Sequence, residues 1–134
     1  MKKPMDLRRF EYIIEKVEKL KDLSLDAPII VEGKKDEQAL REVGIDGDIL
    51  RVHTSASLME FCDSVAASYK EVILFTDLDS AGKKIGKVVK KYLTDKGVKV
   101  NDNIARKLMY ALDTTETENV SKRLENTCKK FSYP

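Results

Sequence analysis

The stretch Val72-Ile73-Leu74-Phe75-Thr76-Asp77-Leu78-Asp79-Ser80 is an apolar, β-branched run that ends abruptly in two carboxylates. Such a run reads as a buried strand, and the residues after it have the pattern of a helix start. The same pattern occurs upstream in Ile29-Ile30-Val31-Glu32-Gly33-Lys34, with Asp36 close behind. Two shorter strands are predicted at Ile49 to Val52 and Val98 to Val100. Between the strands, Ala39, Leu40 and Val43 mark a helix closed by Gly44 as a left-handed cap. Leu58, Phe61, Cys62, Val65, Ala66 and Tyr69 form one stripe behind a capping box of Ser57 and Glu60. Ala81, Ile85, Val88, Val89 and Tyr92 form another, with Ser80 as its expected cap and Gly97 at its end. Strands alternating with helices of this length predict an α/β protein: a Rossmann-like, parallel four-stranded sheet with helices on both faces.

The flanks are helical. Leu7, Phe10, Ile14, Val17 and Leu20 recur at helical spacing behind Asp6, a fitting cap. Ile104, Leu108 and Ala111 predict a further helix, and Val120 to Cys128 another. The expected organisation is an amino-terminal amphipathic helix packed on the domain (1–26), one domain (27–118) and a carboxy-terminal helical extension (119–134).

The chain has 134 residues, 42% apolar and 36% charged, a composition that supports a real core. A net charge of +2 excludes a uniformly basic nucleic-acid binder, so any basic surface is local. Cys62, Cys128 and the single histidine, His53, lack the spacing of a zinc site. No apolar run reaches the length of a membrane span, and the amino terminus lacks the apolar segment of a signal peptide. The expectation is a soluble, cytoplasmic protein.

Ligands of open parallel sheets bind at the carboxyl ends of the strands. Glu32, Asp77 and Asp79 are therefore expected to converge. At an effective dielectric of about 20 and a separation near 5 Å, each carboxylate pair costs on the order of 3 kcal/mol. A divalent cation relieves that cost, and hard oxygen ligands suit magnesium or manganese. Asp77 and Asp79, two apart on an extended segment, are expected to straddle one ion or to hold one each. Against this stands the plainer reading of either Asp, or of Asp36, as a helix cap. Lys34 and Lys35 either pair with Glu32 or hold a phosphate beside the metal. Lys84, Lys87 and Lys91 share one helical stripe, a phosphate-tracking ridge on one reading and a solvated face on the other. Base-stacking aromatics are not interleaved with it. Thr114 to Asn119 reads as a solvated loop that offers Glu116 and Glu118 as further acids. His53 directly follows a strand, a position where a lone histidine is usually structural.

Glu32-Gly33-Lys34 with Asp36, and Asp77-Leu78-Asp79-Ser80 some 45 residues later, resemble a Toprim domain over about Ala27 to Val100, extending as far as Glu118. The short form is similar to small stand-alone Toprim proteins close to the nuclease that matures 5S ribosomal RNA, and to primase Toprim domains. The resemblance implies Glu32 as general acid or base or as a metal ligand, and Asp77 and Asp79 as magnesium ligands. Thr117-Glu118 is the nearest match to a later Val-Glu pair of the nuclease-like branch. Glu32 and Lys34 are thus the catalytic candidates, and Glu32, Asp77 and Asp79 the metal ligands. Asp36 and Glu118 are the candidates for a further ligand. Lys34, Lys35, Lys84, Lys87 and Lys91 are the candidates for nucleic-acid binding.

Two functions compete at this point. One is magnesium-dependent (or manganese-dependent) phosphodiester chemistry, as an endonuclease on structured RNA, with RNA favoured over DNA. The other is a non-catalytic module that binds RNA, the ribosome or another ribonucleoprotein and keeps a structural magnesium. A phosphatase of the haloacid-dehalogenase type also carries Asp-x-Asp after a strand, with the first aspartate as nucleophile.

Overall fold

The computed structural model describes residues 5–54 and 57–133. Among them, β1 (Ile29–Val31), β2 (Ile49–Arg51), β3 (Glu71–Leu74) and β4 (Lys99–Asn101) form one sheet. Its order is β2-β1-β3-β4, and every pairing is parallel. The helices are α1 (Leu7–Ser24), α2 (Lys34–Val43), α3 (Leu58–Ser68), α4 (Ser80–Asp95), α5 (Asn103–Ala111) and α6 (Val120–Lys130). Short 3-10 turns occupy Val52–Thr54 and Thr117–Asn119. The expected α/β, Rossmann-like sheet covered on both faces is thus the fold observed. No helix among the described residues is long and apolar enough to cross a membrane.

Strand side chains alternate between faces, and here both faces are buried. Ile29, Val31, Ile73 and Phe75 pack with Ile13, Val17 and Leu20 of α1, Leu40 of α2 and Leu108 of α5. Ile30, Val72 and Leu74 pack with Phe61, Cys62 and Val65 of α3 and Val89 and Leu93 of α4. Each fully buried Ile, Leu or Phe contributes roughly 1.5–3 kcal/mol. β1 and β3 lie side by side in the middle of the sheet, with Ile30 opposite Leu74. The residues that succeed them, Glu32 and Asp77, therefore emerge together.

Helix limits reflect local chemistry. Asp6 caps α1 by accepting from the Arg9 amide, as expected. Gly44 and Gly97 adopt φ of +108° and +84°, the left-handed backbone that lets α2 and α4 stop. Ser57 accepts from the Glu60 amide at 3.1 Å.

Three readings are corrected. The buried stripe of α1 is Phe10, Ile13, Val17 and Leu20; Ile14 is only partly buried and Leu7 is exposed. The cap of α4 is Asp79, not Ser80: its carboxylate accepts from the Gly82 amide at 2.8 Å. The buried face of α4 is Gly82, Gly86, Val89 and Leu93, while Ala81 and Val88 are exposed. A pattern read from apolar side chains passes over glycine. Here the glycines are the contact, because they let the helix backbone approach the end of β3.

Candidate functional site

Glu32 comes directly after β1, and its Oε2 accepts from the Asp77 amide at 2.8 Å. Asp77 Oδ1 accepts from the Thr117 amide at 2.8 Å. Asp79 Oδ1 takes the Gly82 amide, and Asp36 Oδ2 reaches back to the amide of Gly33, the residue that precedes α2, at 3.0 Å. Each of these four carboxylates thus spends one oxygen on a backbone N–H. Their second oxygens make no hydrogen bond among the described residues.

Burial pushes Glu32 above its ordinary pKa, opposed by the Asp77 amide and reinforced by the charges of Asp77, Asp36 and Asp79. Asp36 is likewise raised by burial, opposed by the Gly33 amide. The charges of Asp77 and Glu118 raise it further, and His53 acts the other way. The acids therefore sense one another across Glu32, Asp36, Asp77, Asp79 and Glu118. His53 is tied in as well, since its amide donates to the Glu32 carbonyl at 3.1 Å.

The donors are all carboxylate oxygens, the kind that magnesium takes. In spacing they do not form a closed site: among the described residues, no group of three or more His, Cys, Asp or Glu could hold a metal ion as placed. Asp77 and Asp79 lie beyond the strand itself. β3 ends at Leu74, and a bend leads into α4. Asp79 turns back onto its own helix and Asp77 onto Thr117, because amides at those points need acceptors.

Thr114 to Asn119 is not a solvated loop. The Leu78 amide donates to the Thr115 carbonyl at 2.7 Å, and the Thr117 hydroxyl donates to the Phe75 carbonyl at 3.2 Å. Thr117 is fully buried. The segment is a clamp on the end of β3 that holds Asp77 in place and brings Glu118 within electrostatic reach of Asp36.

Beyond the end of β4 lies a notch of about 360 Å³, lined by Thr76, Asp77, Lys83, Lys87, Lys90 and Arg106 among others. Of the lysines singled out in the sequence, only Lys87 reaches it. Lys84 and Lys91 are exposed on α4 away from it, and Lys34 borders a separate cleft with Arg41 and Arg51. Lys35 is exposed. The sequence reading gave no site role to Lys83, Arg106, Thr117 or the two glycines. Lys83 carried a signal as a lysine four residues after Asp79, and Thr117 one as the neighbour of Glu118 in the Val-Glu match; Arg106 carried none.

The packing of α4 on glycines shows how closely the site is built. A Cβ on Gly82 would lie 2.3 Å from the Asp77 carbonyl oxygen, and one on Gly86 would lie 2.6 Å from Thr76 Oγ1.

Two parallel central strands each followed by an acid, with a clamped Asp-x-Asp bend after the second, define the Toprim class of α/β domain. The chain belongs to the Toprim domain family, whose model matches residues 27–107. It is 33% identical over 99 residues to a UPF0292 protein of Methanocaldococcus jannaschii, covering 74% of this chain and 77% of that one. It is 37% identical over 99 residues to a UPF0292 protein of Pyrococcus abyssi, covering 74% of this chain and 70% of the relative. Among solved structures, it is similar to a putative protein from Aquifex aeolicus, with a TM-score of 0.67 and 28% identity. That match covers 87% of this chain and 99% of the other. A Toprim domain carries a coarse functional statement: metal-dependent, nucleic-acid-related function.

Proposed function

We propose that this protein is a magnesium-dependent endonuclease acting on structured RNA. The observation that carries the reading is the junction of Glu32 with Asp77, which gathers acids distant in sequence at the rim of one sheet. Glu32, Asp77 and Asp79 would hold the ion through their second oxygens, with Asp36 and Glu118 as further candidates. When bound, the ion supplies charge stabilisation on the reacting phosphate and a more acidic water. Glu32 moves a proton; burial raises its carboxyl above the ordinary value, the direction that favours holding one. Lys34 and Lys87 hold phosphates on either side of the acids, with Lys35, Lys84 and Lys91 extending the basic surface. Cys62 and Cys128 are free thiols, which suits a reducing, cytoplasmic compartment.

The test is cleavage of structured RNA by Asp77→Asn/Asp79→Asn. Asparagine keeps an acceptor for the Thr117 and Gly82 amides, so the fold is retained. Cleavage should fall by three or more orders of magnitude, the scale on which removal of metal-linked charge acts (roughly 4 kcal/mol or more). Undiminished cleavage would rule this site out.

The alternative is a module that binds RNA or a ribonucleoprotein without cutting and keeps a structural magnesium. Tight RNA binding with no turnover in magnesium or manganese would select it.

A further inference from the structure

We propose that the groove between α1 and α5 is a track for single-stranded RNA that leads into the Asp77 notch. The inference rests on the proposed nuclease function, which makes that notch the place of chemistry, and adds where and how the strand is held.

The groove, about 680 Å³, is lined by Arg9, Tyr12, Asn103, Arg106, Lys107 and Tyr110 among others. It does not stand alone. Arg106 also lines the Asp77 notch. A third depression of about 320 Å³ shares Tyr110 and Asp113 with the groove, and Leu78 and Lys83 with the notch. The three are neighbours, linked by shared lining residues between Tyr12 and Asp77.

Its chemistry is that of a strand path. Basic side chains outnumber acidic ones along it, although the chain as a whole is close to neutral. One of the acids, Asp102, is already engaged by Lys90 at 3.0 Å and Arg106 at 3.8 Å. Lys83, Lys87 and Lys107 make no ion pair among the described residues. Arg9 is fixed across the groove by donating to the Ala111 carbonyl at 2.7 Å, which joins α1 to α5.

The aromatic rings set the class of ligand. Tyr110 is 71% exposed and Tyr12 38% exposed, so neither is a core residue. Phosphate tracking on a duplex needs cations but no ring faces. Unpaired bases stack on exposed aromatics, with arginine and lysine tracking the backbone. Asn103 and the two phenols place hydrogen-bonding groups in the same groove, where a 2′-hydroxyl distinguishes RNA from DNA. The rings come from α1 and α5, nearly 100 residues apart, and the lysines from α4 and α5. That separation hides the interleaving of aromatic and basic residues from a linear reading.

The experiment is fluorescence anisotropy with a labelled, unstructured RNA of about 12 nucleotides, within the usual site size of such grooves. A DNA of the same sequence and a blunt RNA duplex serve as comparisons, all in EDTA and at matched salt, with a salt series for the wild type and Lys107→Gln. The RNA strand should bind. Tyr110→Ala should weaken it about tenfold, the lower part of the range for loss of one stacked base. Tyr110→Phe, which keeps the ring, should stay within about twofold on the same ground. Lys107→Gln should make the dependence on salt shallower by about 0.7, the slope lost with one phosphate contact. Tyr110 is exposed, so its variants fold. The inference is overturned if no strand binds in EDTA, if DNA or duplex binds as tightly, or if Tyr110→Ala binds like the wild type. In the first case the groove is left as a protein-docking surface. Chelation separates this result from the enzymatic reading. A protein that binds the strand yet cuts nothing keeps the track and ends the nuclease; one that cuts but is indifferent to Tyr110 does the reverse.

Discussion

The carboxylate of Glu32 accepts a 2.8 Å hydrogen bond from the main-chain amide of Asp77, 45 residues further along the chain. The bond joins the ends of the two central strands and presents a half-buried acid to three other acids. It also sets the electrostatics of the site, because it is the one contact that lowers the pKa of Glu32 against burial and like charge.

Glu32 and Asp36 bind their protons more tightly in the folded chain than in the unfolded one. A folded state that holds more protons loses stability as pH rises. For Glu32 the loss starts near its ordinary value of 4.5 and is complete above its raised value. Glu32→Gln keeps an acceptor for the Asp77 amide and removes this titration. In EDTA, the melting temperature of the variant should gain on that of the wild type as pH rises from about 4.5 to neutrality. Melting curves that stay parallel across that range would contradict the assignment.

Asp79 has two jobs that substitution separates. Asn is as good a cap as Asp, whereas Ala loses about 1 kcal/mol. Asp79→Asn should therefore melt like the wild type, and Asp79→Ala several degrees lower. If the charge serves chemistry, both should lose cleavage equally. Retention of cleavage by Asp79→Asn would reduce Asp79 to a cap.

Gly82→Ala sets helix propensity against packing. Alanine gains roughly 0.5–1 kcal/mol as a helix former. Its Cβ, however, would lie 2.3 Å from the Asp77 carbonyl oxygen, which is backbone and cannot swing aside. Overpacking of this kind costs about 1–3 kcal/mol, so the variant should be destabilised on balance in chemical denaturation. It should also lose activity, because relief requires moving Asp77. A stabilised variant would show that α4 does not press on the site.

Thr117→Val removes the hydroxyl bond to the Phe75 carbonyl but keeps the amide that holds Asp77. The expected cost is about 1 kcal/mol in equilibrium unfolding, with cleavage preserved. A collapse of activity at unchanged stability would mean that the hydroxyl, not the amide, matters to the site.

Magnesium should raise the melting temperature of the wild type and not that of Asp77→Asn/Asp79→Asn, since only a ligand of the folded state stabilises it. At about 100 times the dissociation constant the gain is roughly 2.7 kcal/mol. Equal shifts in both proteins would place the ion elsewhere.

Much of this molecule is legible in one dimension. Strand cores such as Val72 to Leu74 carry both-face burial as an uninterrupted apolar run, and Asp6, Gly44 and Gly97 mark helix ends by chemistry that acts within one turn. Because the sheet is parallel, both acidic ends had to emerge at the same rim, so the residue order alone pairs Glu32 with Asp77. The orientation of each carboxylate is another matter. It depends on which backbone amide lies nearest, and those amides belong to Asp77, Thr117 and Gly82. The clamp at Thr117, the glycine face of α4 and the placing of Tyr12 and Tyr110 along one groove arise from packing between segments far apart in the chain. Side-chain periodicity has no term for a contact made by the absence of a side chain, or for two rings set along one groove by helices that lie on the same face of a sheet.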